Sequence, residues 1–171
     1  MTMSPSLRKF TLAVHITLSV GWIGAVAAYI ALDVAAATGQ DAQTLRAAYL
    51  AMDLIARYAI VPLAVAALLT GIIISVGTKW GLFRHYWVVV KLLLTVFATI
   101  ILLLETRTIS HMADVAASGA DPRELPGSLF HSGGGLLVLI VAATLAVYKP
   151  RGMTRYGWRR QHEERARPAE A

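Results

Sequence analysis

Three ionisable side chains stand inside long apolar runs: His15, Lys91 and His131. An ionisable group at membrane depth is costly and marks a functional position by default. His15 lies about 8 Å into its run at about 1.5 Å per residue. Ser19, Trp22 and Tyr29 follow at spacings of four, seven and fourteen, so they share its side of a helix. A neutral imidazole there is either a packed, hydrogen-bonded bundle residue or a ligand, imidazole being the commonest metal ligand. Lys91 stands at the matching depth of another run, counted from the same side of the membrane. Its methylenes can carry the ammonium out to the headgroups, or it can face inward and hold a carboxylate or propionate. His131 lies near the opposite end of the last run, with His111, Met112, Asp114 and Glu105 on the same side. Imidazole, thioether and carboxylate together suit copper or another transition metal. His15, His111 and His131 are therefore the candidate metal ligands, while His85 and His162 read as solvated. Gly133, Gly134 and Gly135 let either a neighbouring helix or the face of a flat cofactor approach the backbone.

The elements that must position these groups are membrane helices. The chain has 171 residues, of which 57% are hydrophobic and 15% charged, and it has no cysteine. A soluble domain carries about 25% charged residues. The composition excludes a disordered chain, a disulfide scaffold, a zinc-thiolate module and an iron–sulfur protein. Four runs reach the roughly 20 apolar residues that a span needs: about 10–32, 58–77, 86–104 and 128–148. They are too long, and too free of alternation, for barrel strands. The expected fold is all-α, a four-transmembrane-helix bundle followed by a basic tail over 150–171. From Asp41 to Arg57 a further helix is expected, either lying at the interface between spans one and two or extending span two outward. Pro62 could kink it. Span three should extend as helix to about Ala117, with Ser118, Gly119, Asp121, Pro122, Pro126 and Gly127 then breaking it. The tail after Pro150 is expected to fray.

With four spans, both termini share one side. That side holds 11 basic residues and the other holds four, Arg46, Arg57, Arg107 and Arg123, with Lys91 left inside the bilayer. The positive-inside rule places both termini in the cytoplasm of a plasma membrane. The net charge of +6 then follows from topology and needs no nucleic acid; the basic tail suits anionic headgroups. The first run is longer than the 7–15 residues of a signal-peptide core, so it reads as an uncleaved anchor. Gly21, Gly24, Ala25 and Ala28 offer a small-residue surface to other helices, in this chain or in a homo-oligomer. No phosphate-binding loop, HExxH helix or nucleophile elbow is present.

The segments LTGIIISVGTKWGLFRHYWVVVKLLLTV and VYKPRGMTRYG resemble those of a family of small, uncharacterised four-span bacterial membrane proteins, a resemblance that covers most of the chain. His15 with Trp22, and Trp87 with Lys91, are more distantly similar to patterns in the haem-dependent protoporphyrinogen oxidase of bacteria, also a four-span protein. That resemblance implies haem b, with His15 as axial ligand and Lys91 as a propionate or porphyrin contact needed for activity. Trp22 with the Gly133–Gly135 surface, Gly134 at its centre, would wall the pocket. His131 or His111 would supply a second ligand. The Pro-Arg pair of that family has no counterpart at Tyr29–Asp33, where Ala31 and Leu32 stand, which turns the implication toward haem binding rather than oxidase chemistry. A similarity to copper-resistance membrane proteins implies a transporter or metal-handling component, and the small-residue faces suit a non-catalytic accessory subunit.

Overall fold

The computed structural model describes residues 3–39, 41–78, 80–118 and 128–166. The expected helix breakers from Gly119 to Gly127 lie outside these residues, as do Lys79, Arg123 and Arg167 of the charge count. Helix α1 runs Pro5–Thr38. Its start is set by Pro5 in the first turn and by Ser4, whose side chain accepts from the Leu7 N–H at 3.4 Å. Helix α2, Ala42–Ile55, is capped by Asp41, which accepts from the Thr44 N–H at 2.8 Å. A π turn over Ala56–Ile60 joins α2 to α3, Val61–Gly77. Pro62 explains the turn. It has no N–H, and its ring would press on the carbonyl four residues back. Widening the coil lets the Val61 N–H reach the Ala56 carbonyl and absorbs the misfit without a break. Residues Ala42–Gly77 thus form one 36-residue rod. Of the two placements open for the 41–57 segment, the structure takes the extension of span two.

Helix α4 spans Tyr86–Ala117 and α5 spans Leu129–Tyr148, ending where Lys149 adopts a left-handed φ of 45° before Pro150. The tail does not fray as expected: Arg155–Ala166 forms helix α6. It is held by the α3–α4 connection, where the Thr154 N–H donates to the Arg84 carbonyl at 3.0 Å and Arg84 pairs with Glu164 at 2.8 Å. The Met3 N–H also reaches the Gly77 carbonyl at 3.1 Å, and the Tyr86 N–H reaches Gly152 at 3.3 Å. The N-terminal residues, the α3–α4 connection and the chain after α5 therefore meet at one end, here the terminal end.

Helix α1 packs against α2, α3 and α5, and α4 packs against the same three. So α1 and α4 occupy opposite corners of the bundle. The buried stripe of α1 is Trp22, Val26, Tyr29, Asp33 and Ala36, at alternating spacings of four and three. This is the seam of a left-handed bundle, and it concentrates the core in the half away from the terminal end. There Arg57 donates to Asp53 at 2.8 Å and to Ser110 at 2.6 Å, and Ser110 donates to Asp53 at 2.9 Å, tying the second rod to α4. Only 28%, 17%, 17% and 11% of the four apolar windows is buried inside the bundle. Phe10, Val20, Leu69, Leu93 and Leu137 face outward, and so much outward apolar surface on long helices belongs in hydrocarbon. The protein is a multi-pass, all-α membrane bundle.

Candidate functional site

A cavity of about 400 Å³ lies in the core half, between α1, the π turn, α4 and α5. Two features of the sequence open it. The π turn presents Ala56 and Ile60 to the centre, and Gly134 and Gly135 remove side chains from α5. A Cβ built at Gly133, Gly134 or Gly135 would meet nothing within 4 Å. Of the two partners open for these glycines, no neighbouring helix packs on them among the described residues, since α5 turns them toward space. Phe97, Phe130 and Gly134 line the cavity and are exposed, so its mouth opens sideways toward hydrocarbon.

The walls are apolar apart from one patch: Tyr29, Glu105, Ser128, His131 and Ser132. Among the described residues no lysine or arginine lines the cavity. His131 Nε2 stands 3.7 Å from Glu105 Oε1, an ion pair only while the imidazole is protonated. Behind the serines lies Asp33, 1% exposed. It accepts from Ser128 Oγ at 2.7 Å, from the Ser128 N–H at 3.3 Å and from Ser132 Oγ at 3.0 Å. Because the Ser128 hydroxyl hydrogen goes to Asp33, the Tyr29 hydroxyl donates to Ser128 Oγ at 3.1 Å. The result is a donor chain from Tyr29 through Ser128 to a buried carboxylate. Charge-assisted bonds of this kind contribute about 1.5–3 kcal/mol each.

Sequence reading missed Asp33. The apolar run ends at Leu32, which leaves Asp33 to the connection, yet α1 continues to Thr38. A signal did exist: Asp33 falls four residues beyond Tyr29 and continues the stripe from Ser19 and Trp22.

The residues singled out from sequence divide into separate places. Trp22 and Gly134 line the cavity; His15 and Lys91 do not. His15 is seven residues from Trp22, about 10 Å along α1 toward the terminal end. Its Nδ1 lies 3.0 Å from Thr70 Oγ1, which itself lies 2.7 Å from the Ala66 carbonyl. A carbonyl only accepts, so the hydroxyl hydrogen is committed there and His15 Nδ1 donates to Thr70. A Cβ at Gly71 would stand 3.1 Å from His15 Cε1, so this glycine lets the ring lie against the α3 backbone. Lys91 is half-buried. Among the described residues no carboxylate pairs with it.

The histidines expected to form a metal group are not gathered. His111 is exposed, Met112 is buried in the core at 4%, and His131 meets Glu105. Among the described residues no three His, Cys, Asp or Glu side chains converge to hold a metal ion. His85 is not simply solvated. It is half-buried, its Nδ1 is 2.9 Å from the Trp80 carbonyl, and its ring meets Trp80 edge-on at 5.3 Å. His162 is exposed and stacks on Trp158 at 6.1 Å.

No protein-family model, curated protein or solved structure matches this chain.

Proposed function

We propose that this membrane protein binds a lipophilic small molecule that enters the cavity sideways from the bilayer. The observation that carries this reading is the cavity itself: about 400 Å³, apolar-walled, with one polar patch and a mouth toward hydrocarbon. Ligand sites are concave, mostly apolar and furnished with a few convergent polar groups. A ligand that binds only the folded state stabilises it by mass action, by about 1.4 kcal/mol at ten times its dissociation constant. Neopentylbenzene, a neutral apolar probe, should raise the unfolding temperature of the protein in nanodiscs. In Gly135→Leu the leucine enters open space and fills the cavity, so the rise should disappear. An equal rise in both proteins would count against the reading.

A second reading is haem b on His15, with Lys91 beside it and His131 or His111 as a distant second ligand. One observation favours it: with Nδ1 donating to Thr70, His15 Nε2 carries the lone pair that a metal needs. Soret absorbance of protein purified from haem-replete cells decides it. A metal-handling role through His111 and His131 gains no such support. We infer the orientation, with both termini in the cytoplasm, from the basic residues.

A further inference from the structure

We propose that the molecule taken into the cavity is a lipophilic organic cation, its charged head at the Glu105 patch and its apolar body between Trp22 and Phe97. This rests on the cavity being a ligand site, and adds the ligand's charge.

The charge balance around the cavity carries the proposal. Glu105 lines the wall, and its side chain is 29% exposed. Asp33 stands directly behind Ser128 and Ser132, and its three donors are all neutral groups. Hydrogen bonds from neutral donors stabilise a carboxylate but leave its charge in place. One acidic group, Glu105, therefore lines the space and a second, Asp33, stands behind its serines, and among the described residues no lysine or arginine lines it. His131, at 3.7 Å, offsets Glu105 only while protonated. Acidic groups shielded from water are costly without a counter-charge. A cationic ligand would supply one from within the cavity.

Size and wall chemistry select the kind of cation. A bare metal ion needs several oxygen or nitrogen ligands at close range, and no such cluster is found among the described residues. The space instead suits an ion carrying apolar or aryl substituents. Trp22, Tyr29, Phe97 and Phe130 add four aromatic rings to the wall, and aromatic faces attract ammonium groups, most strongly away from water.

The test compares benzyltrimethylammonium with neopentylbenzene, which has the same shape without the charge. Binding is measured on the full chain in nanodiscs of zwitterionic lipid, so that the bilayer itself does not recruit the cation. The expected result is that the cation binds about tenfold more tightly than its neutral isostere. Glu105→Gln should abolish that preference. Equal affinity of the two probes for the native protein overturns the charge assignment while the cavity reading stands, and needs no variant that must fold. A preference that survives both Glu105→Gln and Asp33→Asn overturns it as well. Binding of neither probe overturns both proposals.

Discussion

At His15, a single hydroxyl decides what the ring can do. Threonine at position 70 returns its hydrogen to the helix carbonyl of Ala66 and so accepts from Nδ1. A threonine inside a helix commonly bonds back in this way, and here the habit fixes a tautomer at a neighbour 55 residues away. The haem reading therefore has a concrete expectation. Purified wild-type protein should show a Soret band, and His15→Ala should lose it. A colourless wild type, even with added hemin, would leave His15 as a hydrogen-bonded packing residue held against Gly71. Asp33 shows the same economy at the other end of α1. Its carboxylate is tolerable at 1% exposure because Ser128, just before α5, and Ser132, in its first turn, both donate to it.

At the scale of elements, short departures from regular helix shape the molecule. The π turn before Pro62 keeps a 36-residue rod continuous while aiming Ala56 and Ile60 at the cavity. Helix α6 depends on a glycine. Gly157 is buried on the Arg84 carbonyl, so closely that a Cβ there would collide with backbone. Gly157→Ala should therefore lift α6 from the α3–α4 connection and break the bonds from Thr154 to Phe83 and Arg84. Losing about 1.4 kcal/mol of docking raises the open population roughly tenfold. Limited trypsin digestion, cutting at Arg155, Arg159 and Arg160, should speed up by about that factor. The unfolding temperature of the bundle should stay put, since α6 docks on the connection and not on the four spans. Unchanged cleavage would show that α6 is held elsewhere.

Across the whole molecule, apolar surface is spent mainly outward. The span least buried inside the bundle, α5, has 11% of its window inside. Such a fold is stable only where hydrocarbon replaces the missing protein contacts. At about 51 Å and 48 Å, α1 and α4 also overreach a hydrocarbon slab of about 30 Å. Their ends must stand in the headgroups and water, where Arg8, Lys9, Arg107 and His111 lie. Because the N-terminal residues and the chain after α5 meet at the terminal end, one assignment orients the whole protein. Protease added to intact cells should leave α6 uncut, while the same protease should reach it in inside-out vesicles. Cleavage in intact cells would reverse the orientation.

Hydropathy adds up along the chain, so the sequence by itself determined the class, the four spans and the common depth of His15 and Lys91. Each of those depends on residue type and on position within one run. The stripe through Trp22 and Tyr29 was equally legible, because helical period alone defines a face. The cavity was not legible, since it depends on which helices become diagonal partners and on where α5 turns its glycines. Nor was the role of Asp33, which comes from a bond to a serine 95 residues away. That the outer histidines are not gathered among the described residues has the same reason. His111, Met112 and His131 share an end of the molecule, but helix rotation sends Met112 into the core and leaves His111 outside. Tertiary packing alone decided those rotations, because neighbouring helices compete for the same central space and only one set of faces can fill it.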